Sequence, residues 1–221
     1  MSSPNPLTAE EIRRAFAEPA DAEDFSTAPP RAGLSRSIDC LLAAAGLLLA
    51  APLLVVASVA IRLGSPGPVV YRQTRVGRDE TPFSLLKLRT MRLGSDPIGV
   101  GTAIGEDDPR ITPIGRVLRR FSIDELPNLV NVLRSEMAIV GPRPTIPSQV
   151  ELFSDRQRRR HAVRPGMTGW AQTNGRVGLG WGERIELDLW YVEHRSPALD
   201  LKILARSVGL VASGRGLYTG G

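Results

Sequence analysis

The sequence predicts a mostly helical α/β chain with short strands and a single membrane anchor. The 22 residues from Cys40 to Ile61 carry no charge and are mostly Leu, Ala and Val, which indicates a membrane-inserted helix. Beyond them, apolar residues recur mainly at helical spacing, and the runs typical of strands are short. We therefore divide the chain into a flexible N-terminal tail (1–33), a membrane-inserted, proline-kinked helix (34–63) and a compact domain (64–221).

The composition excludes several kinds of site and predicts an anionic partner. The single cysteine, Cys40, rules out an internal disulfide framework and a zinc site built on clustered cysteines. The net charge is +5, and residues 1–33 hold six acids against three arginines, so the remaining residues carry +8. A body this basic is typical of proteins that bind nucleic acid, lipid headgroups or phosphorylated metabolites. We expect no nucleic-acid partner, because the chain has no recognition motif and few aromatic residues among its basic ones.

Residues 1–33 are rich in Pro, Ala and acidic residues. Thr8 followed by Glu11 resembles a capping box, which predicts one short helix through Phe16. The rest of this segment is predicted to be flexible, and it lacks the basic start and cleavable apolar run of a signal peptide.

The apolar segment is long enough to cross a bilayer, but its details favour a different path. As a helix, its 22 residues would be about 33 Å long. Pro52 lies near its middle and is expected to kink it, and Arg36 and Arg62 flank it, so the positive-inside rule favours both ends on the cytoplasmic side. A kinked, re-entrant hairpin satisfies all three features, whereas a straight span satisfies only the length and a soluble core helix would show a polar stripe. We favour the re-entrant form and keep the straight span as the alternative.

The body of the chain is predicted to combine short strands, loops and helices. Gly64–Pro68 is a turn-rich hinge, and residues 93–109, rich in Gly, Asp and Pro, are expected to form a loop. The other predicted elements are strands at Val69–Tyr71 and Phe83–Leu88, a short apolar run at Ala138–Val140, a turn at Pro165-Gly166, and helices at Ile114–Phe121, Leu126–Leu133, Gln149–Ala162, Glu183–Glu193 and Leu199–Val211.

The stretch Ser122–Pro127 is the most informative part of the body. Ser122 followed by Glu125 has the spacing of a capping box, but Pro127 would then break a bond inside the helix. If the helix starts at Asp124 or later, Pro127 is tolerated, and both carboxylates lie at the positive end of a helix. Adjacent carboxylates where a phosphate can bind suggest Mg²⁺ binding and a carboxylate nucleophile. Spacing alone favours the capping box, and both interpretations stay open at this point.

Several cations lie near this stretch in the sequence or in predicted strands. Arg119 and Arg120 precede it directly. In the loop Gly141–Pro144, two prolines fix the backbone and hold the arginine between them outward, although an ordinary turn would look the same. Lys87 and Arg89 alternate with an apolar residue at the end of a strand, so both are expected on one face.

A separate run of basic residues follows in the predicted helix over 149–162 and just after it. Such a run usually marks a solvated helix face; the alternative beside a membrane segment is contact with anionic headgroups. Its members are Arg156, Arg158, Arg159, Arg160 and Arg164.

Seven segments carry a resemblance: Arg36–Asp39 leading into the apolar segment with Pro52, Lys87–Met91, Asp108–Thr112, Ser122–Pro127, Val140–Pro144, Arg164–Gln172 and Glu186–Asp188. Together they resemble the bacterial sugar transferase family, the monotopic phosphoglycosyl transferases. They fall in the family's order and spacing from about residue 34 to residue 205. No single segment is decisive, but the shared order is specific. It favours the functional interpretation of the carboxylate pair over the capping box.

The resemblance implies transfer of a sugar-1-phosphate from a UDP-sugar to a polyprenyl (undecaprenyl) phosphate, with release of UMP. Asp124, by its match, is expected to attack the β-phosphorus and form a phosphosugar-aspartyl intermediate. Glu125, with Asp124 beside it, is expected to hold Mg²⁺. Polyprenyl phosphate then attacks the intermediate in a ping-pong scheme. The expected substrate-binding residues are Lys87, Arg89, Arg119, Arg143, Pro144 and Asp188.

The resemblance also implies where the protein works. Family members enter and leave the cytoplasmic leaflet through a helix broken at a proline that commonly follows serine; here Ala51 precedes Pro52. We expect the bacterial inner membrane, contact with its lipids, and a catalytic domain that faces the cytoplasm, with a homo-oligomer left open. The expected role is to initiate exopolysaccharide, O-antigen or glycan synthesis; the alternative is an inactive membrane scaffold of a polysaccharide assembly complex. No residue identifies the sugar.

Overall fold

The computed structural model describes residues 9–20, 22, 29–95, 108–174 and 179–212. Over these ranges the protein is mostly helical with a few short strands, as the sequence predicts. Most of the loop predicted at 93–109 lies outside the described residues. The helices are α1 (Ala9–Ala15), α2 (Arg36–Gly64), α3 (Pro113–Arg120), α4 (Asn128–Leu133), α5 (Pro147–Val150), α6 (Asp155–Arg158), α7 (Trp170–Asn174), α8 (Trp181–His194) and α9 (Pro197–Ala212), and the strands are β1 (Val70–Val76), β2 (Pro82–Leu88), β3 (Ala138–Val140) and β4 (Gly166–Thr168).

The helices predicted in the body of the chain are confirmed except one. α3, α4, α8 and α9 match their predictions within two residues at each end. The sequence predicts one helix over Gln149–Ala162, but the chain folds there as α5, α6 and a 3-10 turn, Arg159–Ala162. The break comes at Ser154, which begins a new helix. Its Oγ accepts from the Gln157 backbone N–H at 3.2 Å, and Gln157 Oε1 accepts from the Ser154 N–H at 3.0 Å.

Two small sheets frame the site. β1 pairs antiparallel with β2 and places Tyr71 opposite Lys87. β3 pairs in parallel with β4, whose first residue is predicted from the sequence to belong to a turn. This parallel pair depends on glycine, because a Cβ on Gly166 would lie 2.1 Å from the backbone nitrogen of Gly141. The backbones therefore approach closely where the chain leaves β3 and enters the loop Gly141–Pro144.

The main core lies between β2, β3, α4, α8 and α9 and includes Met137 and Tyr191, which are almost fully buried. Asn131 of α4 ties this core to β2. Its Oδ1 accepts from the Leu86 N–H at 3.1 Å, and its Nδ2 donates to the Ser84 carbonyl at 2.7 Å. Two backbone groups of β2, one of them buried, are thereby satisfied, and these bonds hold α4 against the strand.

α2 is one uninterrupted helix of 29 residues that continues through Pro52. At about 1.5 Å per residue it is about 43 Å long. It is long and apolar enough to cross a membrane. The proline kink and the re-entrant hairpin predicted from the sequence are not confirmed by this helix and stay predictions.

One face of α2 packs on the rest of the protein along most of its length. Near its start, Asp39 is 3% exposed, and its Oδ1 accepts from the backbone N–H of Ile139 in β3 at 3.1 Å. Near its end, Ala57 and Ile61 pack in a cluster with Leu88 of β2 and with α3. The opposite face is apolar and exposed, which suits contact with lipid. Its exposed large residues are Leu41, Leu42, Leu48, Leu49, Leu53, Val55, Val56, Val59 and Leu63.

The described part of the N-terminal segment is packed against the body. The predicted short helix is confirmed as α1, although its expected cap, Thr8, lies outside the described residues. Phe16 is 3% exposed and stacks on Trp181 of α8 with ring centroids 5.2 Å apart. Gln157 Nε2 donates to the Phe16 carbonyl at 2.9 Å. Residues 9–20 therefore belong to the packed structure.

Candidate active site

The carboxylate pair lies in a 3-10 turn, Ile123–Glu125, immediately before α4. The capping box between Ser122 and Glu125 is wrong, because the Ser122 side chain makes no capping bond to the turn. Ser122 instead adopts a left-handed conformation, with φ 54° and ψ 23°. Pro127 is the residue that caps α4, where its missing N–H breaks no helical bond. The pair therefore precedes the helix.

Glu125 is buried but electrostatically neutralised. It is 5% exposed, and its Oε1 accepts from Lys87 Nζ at 2.7 Å and from Arg143 Nη2 at 2.9 Å. Burial alone would raise the pKa of this carboxyl, but the two cations outweigh burial and hold the pKa well below its ordinary value. Glu125 is therefore an ionised carboxylate at neutral pH.

Asp124 is buried without such compensation. It is 1% exposed, and its Oδ1 has no hydrogen-bond partner among the described residues. Burial raises the pKa of Asp124 to about 6, and the negative charge of Glu125 adds to this rise. The positive charges of Lys87, Arg119 and Arg143 lower the pKa and only partly offset the rise. A carboxylate with an uncommitted oxygen is available for attack or for a ligand, and it is mostly ionised at pH 7.

Asp124 lines a cavity of about 280 Å³ beside the β1–β2 hairpin, on the β1 face that carries the half-buried Tyr71 and Gln73. Lys87, Arg89 and Arg119 bring positive charge to it, and Arg119 Nε donates to Thr90 Oγ1 at 3.1 Å. Its volume is close to the lower end of the range for small-molecule sites. The remaining lining residues are Tyr71, Gln73, Arg75, Leu88, Met91, Arg92, Leu93, Gly94 and Ser95.

Glu125 faces a different space. With Arg143 and Pro144 it lines a second, much smaller cavity of about 10 Å³, which also includes Lys87. Lys87 and Arg75 line both cavities, whereas Asp124 lines the larger one and Glu125 the smaller one. The carbonyl of Pro144 is held by Arg75, whose Nη1 donates to it at 3.1 Å. Arg75 is a site residue that the sequence analysis misses, because nothing in the strand pattern marks it.

Arg89 lines the cavity, but its guanidinium is engaged by backbone carbonyls. Its guanidinium donates to the carbonyl of Ser65 at 2.8 Å and also to the carbonyl of Pro66. These carbonyls belong to the hinge after α2. Arg89 therefore lines the cavity while it anchors the hinge, and Lys87, two residues earlier, is the cation that reaches Glu125.

Asp188 lies in α8 and is 3% exposed. It forms an ion pair with Arg160, which is also 3% exposed. Burial raises the pKa of Asp188, and the Arg160 charge opposes this rise. Among the described residues, the contacts shown for Asp188 do not reach the carboxylate pair.

The interpretation of the basic run as a solvated or lipid-facing surface is wrong for Arg160 and Arg156, whereas Arg158 forms a pair at the surface. Arg160 is buried on Asp188, Arg156 bonds Glu186 at 2.5 and 2.6 Å, and Arg158 bonds Glu80 at 2.9 and 3.0 Å. The signal in the sequence was that Glu186 and Asp188 lie among the apolar residues Ile185, Leu187 and Leu189 of α8. A helix with two inward acids needs two buried cations from elsewhere.

The donor groups at the site fit Mg²⁺ that arrives with a diphosphate. Within the described ranges, no group of three or more His, Cys, Asp or Glu side chains is placed to hold a metal. The pair offers two carboxylates, one of which has the uncommitted Oδ1 of Asp124. Mg²⁺ is commonly held by one or two carboxylates together with substrate phosphates, so these residues suit that ion.

Comparison with known proteins identifies the family of the chain. Residues 31–214 match the family model described as bacterial sugar transferase. A UDP-glucose:undecaprenyl-phosphate glucose-1-phosphate transferase of Caulobacter vibrioides is 46% identical over 181 residues, covering 78% of this chain and 67% of the relative. The protein of that name in Escherichia coli K12 is 42% identical over 183 residues, 79% of this chain but only 39% of the relative. The uncharacterized sugar transferase EpsL of Bacillus subtilis 168 is 44% identical over 165 residues, covering 75% of this chain and 79% of that protein. The chain therefore belongs to the bacterial sugar transferase family.

Proposed function

We propose that this protein transfers a sugar-1-phosphate from a UDP-sugar to a polyprenyl phosphate and releases UMP. The observation that carries the proposal is Asp124, a buried carboxylate with an uncommitted oxygen on a cavity lined by Lys87, Arg89 and Arg119. A site with this charge suits a diphosphate and a lipid phosphate. Because two relatives are named for glucose, UDP-glucose is the first donor to assay.

In the first step, an oxygen of Asp124 attacks the β-phosphorus of the UDP-sugar. The bond from that phosphorus to the bridging oxygen breaks, and UMP leaves with the electron pair. The sugar phosphate is now joined to Asp124 as an acyl phosphate, a mixed anhydride. Lys87 and Arg119 lie on the same cavity and stabilise the charge that develops on the phosphoryl oxygens.

Glu125 has a different role, since its carboxylate already accepts from Lys87 and Arg143. We propose that Glu125, with Asp124, holds Mg²⁺, which when bound supplies positive charge to the diphosphate and the departing UMP. Arg143 and Lys87 keep Glu125 ionised before any ion arrives. In this proposal Asp124 is the nucleophile, and Glu125 contributes mainly to binding the metal ion.

In the second step, a phosphate oxygen of the polyprenyl phosphate attacks the phosphorus of the aspartyl intermediate. The phosphorus–oxygen bond to Asp124 breaks, and the carboxylate of Asp124 is restored. The product is a polyprenyl diphosphosugar. Because UMP leaves before the lipid reacts, the scheme is ping-pong.

We propose that both ends of α2 lie on the cytoplasmic side of the bacterial inner membrane. Asp39 and Ile61 both contact the same compact body, and they lie about 33 Å apart along a straight helix. A straight crossing in this packing would place part of the polar body in hydrocarbon, which is costly. A helix that enters and leaves one leaflet, bent at Pro52, avoids this cost. Labelling single cysteines at Ser2 and Gly221, in a variant with Cys40→Ser, should show both on the cytoplasmic side.

An inactive membrane scaffold remains the alternative function, but the named activities of the relatives do not favour it. The test uses purified protein with Mg²⁺, UDP-glucose and undecaprenyl phosphate, and measures UMP. Wild type should release UMP, Asp124→Asn should not, and the control Asp155→Asn, at an exposed site in α6, should match wild type. If a panel of UDP-sugars yields no UMP from wild type, the enzyme proposal is rejected in favour of the scaffold.

A further inference from the structure

Arg160 is a buried charged residue that the proposed reaction does not use. It lies in the 3-10 turn after α6 and is 3% exposed. Its Nη2 donates to Asp188 Oδ2 on α8. A buried ion pair is poor evidence for stability, because removing two charges from water is costly. The pair therefore calls for another explanation.

The same guanidinium also holds the loop that carries Arg143. Its Nη2 donates to the Arg143 carbonyl at 2.8 Å, and its Nη1 donates to Thr145 Oγ1 at 3.2 Å. The planar fork of arginine allows such bonds to a carboxylate, a carbonyl and a hydroxyl at once. Arg143, fixed at its backbone, places its own Nη2 2.9 Å from Glu125 Oε1. A continuous series of contacts thus runs from α8 to the carboxylate pair.

From these contacts we infer that Arg160, oriented by Asp188, is a positioning residue that holds the Arg143 loop and through it sets the place of Glu125. The inference rests on the proposed function. According to this inference, Asp188 affects the reaction without contacting the UDP-sugar. Asp188 orients Arg160, and Arg160 positions Arg143.

A neighbouring ion pair provides a matched control. Arg156 lies four residues before Arg160 and bonds Glu186, two residues before Asp188 on α8. Both pairs join the same two parts of the chain. The bonds shown for Arg156 join it to Glu186, whereas those shown for Arg160 reach Arg143 and Thr145. The two pairs therefore differ in their link to the site.

The experiment replaces each pair by apolar residues, so that no unpaired charge is left buried. One variant carries Arg160→Met with Asp188→Leu, and the control carries Arg156→Met with Glu186→Leu. Each is made with wild-type Arg143 and with Arg143→Ala. The kcat/KM for UMP release from UDP-glucose with undecaprenyl phosphate is measured, and circular dichroism checks the fold.

If Arg160 acts through Arg143, its pair replacement should lower kcat/KM about 10- to 100-fold, because a misplacement of about 1 Å can cost that much. In the Arg143→Ala background the same replacement should lower kcat/KM by less than about twofold, since the group to be positioned is already gone. The control replacement should change kcat/KM less than about threefold in both backgrounds.

An equal loss in both backgrounds would mean that the pair acts independently of Arg143, for example by direct contact between Asp188 and substrate, and would overturn the inference. Full activity of the pair replacement would overturn it too. If the replacement does not fold, Arg160→Lys takes its place in the same cycle, because an ammonium keeps the charge but lacks the fork. Failure of that variant to fold would show a purely structural role. No UMP from wild type is a separate result that rejects the proposed function itself.

Discussion

Replacing Lys87 with methionine tests the electrostatics of the carboxylate pair. Lys87 Nζ lies 2.7 Å from Glu125 Oε1, and the two side chains are only 13% and 6% exposed. Removing one partner of a buried ion pair costs about 3–5 kcal/mol when the other charge is left alone. Glu125 keeps Arg143 at 2.9 Å, so we expect roughly half of that loss, about 2 kcal/mol. The midpoint temperature of thermal unfolding should fall by about 4–8 °C, since each kcal/mol of lost stability shifts it by about 2–4 °C in proteins of this size.

An ion pair at the surface serves as the control for this measurement. Arg158 and Glu80 lie 2.9 Å apart, but their side chains are 33% and 41% exposed. Exposed pairs are worth about 0–1 kcal/mol, so Arg158→Met should shift the midpoint by less than about 4 °C. Adding Glu125→Gln to Lys87→Met should recover part of the lost stability, because a neutral amide needs no buried cation.

The pH dependence of the same variants has a definite sign. The folded pKa of Glu125 is depressed below its ordinary 4.5, so its contribution to stability is present above that pH and is lost as the pH falls through the depressed value. The difference between Lys87→Met and wild type should therefore be full at pH 7 and shrink in acid. A difference at pH 7 no larger than that of Arg158→Met would refute the neutralisation of Glu125 by Lys87.

Other predictions concern the tail, the nucleophile and the metal. Phe16→Ala should lower the free energy of unfolding by about 3–5 kcal/mol, and Phe121→Ala, at a 45% exposed site, by less than about 1 kcal/mol, as denaturant titration can show. Because attack needs an ionised Asp124 and burial raises its pKa to about 6, kcat/KM should fall as the pH drops below about 6. Arg119→Met should move that fall to higher pH, since the Arg119 charge lowers the pKa of Asp124; an unmoved profile would contradict the assignment. EDTA should stop UMP release and Mg²⁺ should restore it; activity that survives EDTA would contradict the proposed ion.

Local signals explain the elements that the sequence predicted well. α3 begins at Thr112, whose side chain accepts from the Gly115 N–H, and has proline at its first position. These signals need only a few neighbouring residues, as does the adjacency of Asp124 and Glu125. α8 and α9 were predicted from apolar residues at helical spacing, such as Ile185, Leu189 and Ile203, which are buried in the structure.

Contacts between distant residues explain what the sequence did not show. Arg160 meets Asp188 28 residues away, and Gln157 meets the Phe16 carbonyl 141 residues away. A run of arginines looks the same whether it faces water or two acids on another helix. β4 was missed because it has three residues and its partner β3 lies more than 20 residues earlier in the chain.

The candidate site also combines local signals with contacts between distant residues. Spacing alone suggested a capping box at Ser122 and Glu125, and the left-handed conformation of Ser122 removes it. Two cations neutralise Glu125: Lys87, which lies 38 residues earlier in the chain, and Arg143, which lies 18 residues later. From the sequence, Lys87 and Arg143 could be assigned to the same site only through the family resemblance, which depends on the order of several segments.

The central claim is covalent attachment of the sugar phosphate to Asp124, and a single-turnover experiment tests it most directly. Purified protein is mixed with Mg²⁺ and UDP-glucose labelled in the β-phosphate, with no polyprenyl phosphate added. We predict UMP release in proportion to enzyme and label on the peptide that contains Asp124, with neither in Asp124→Asn. UMP that forms only once the lipid phosphate is added, on a protein that never carries the label, would contradict it.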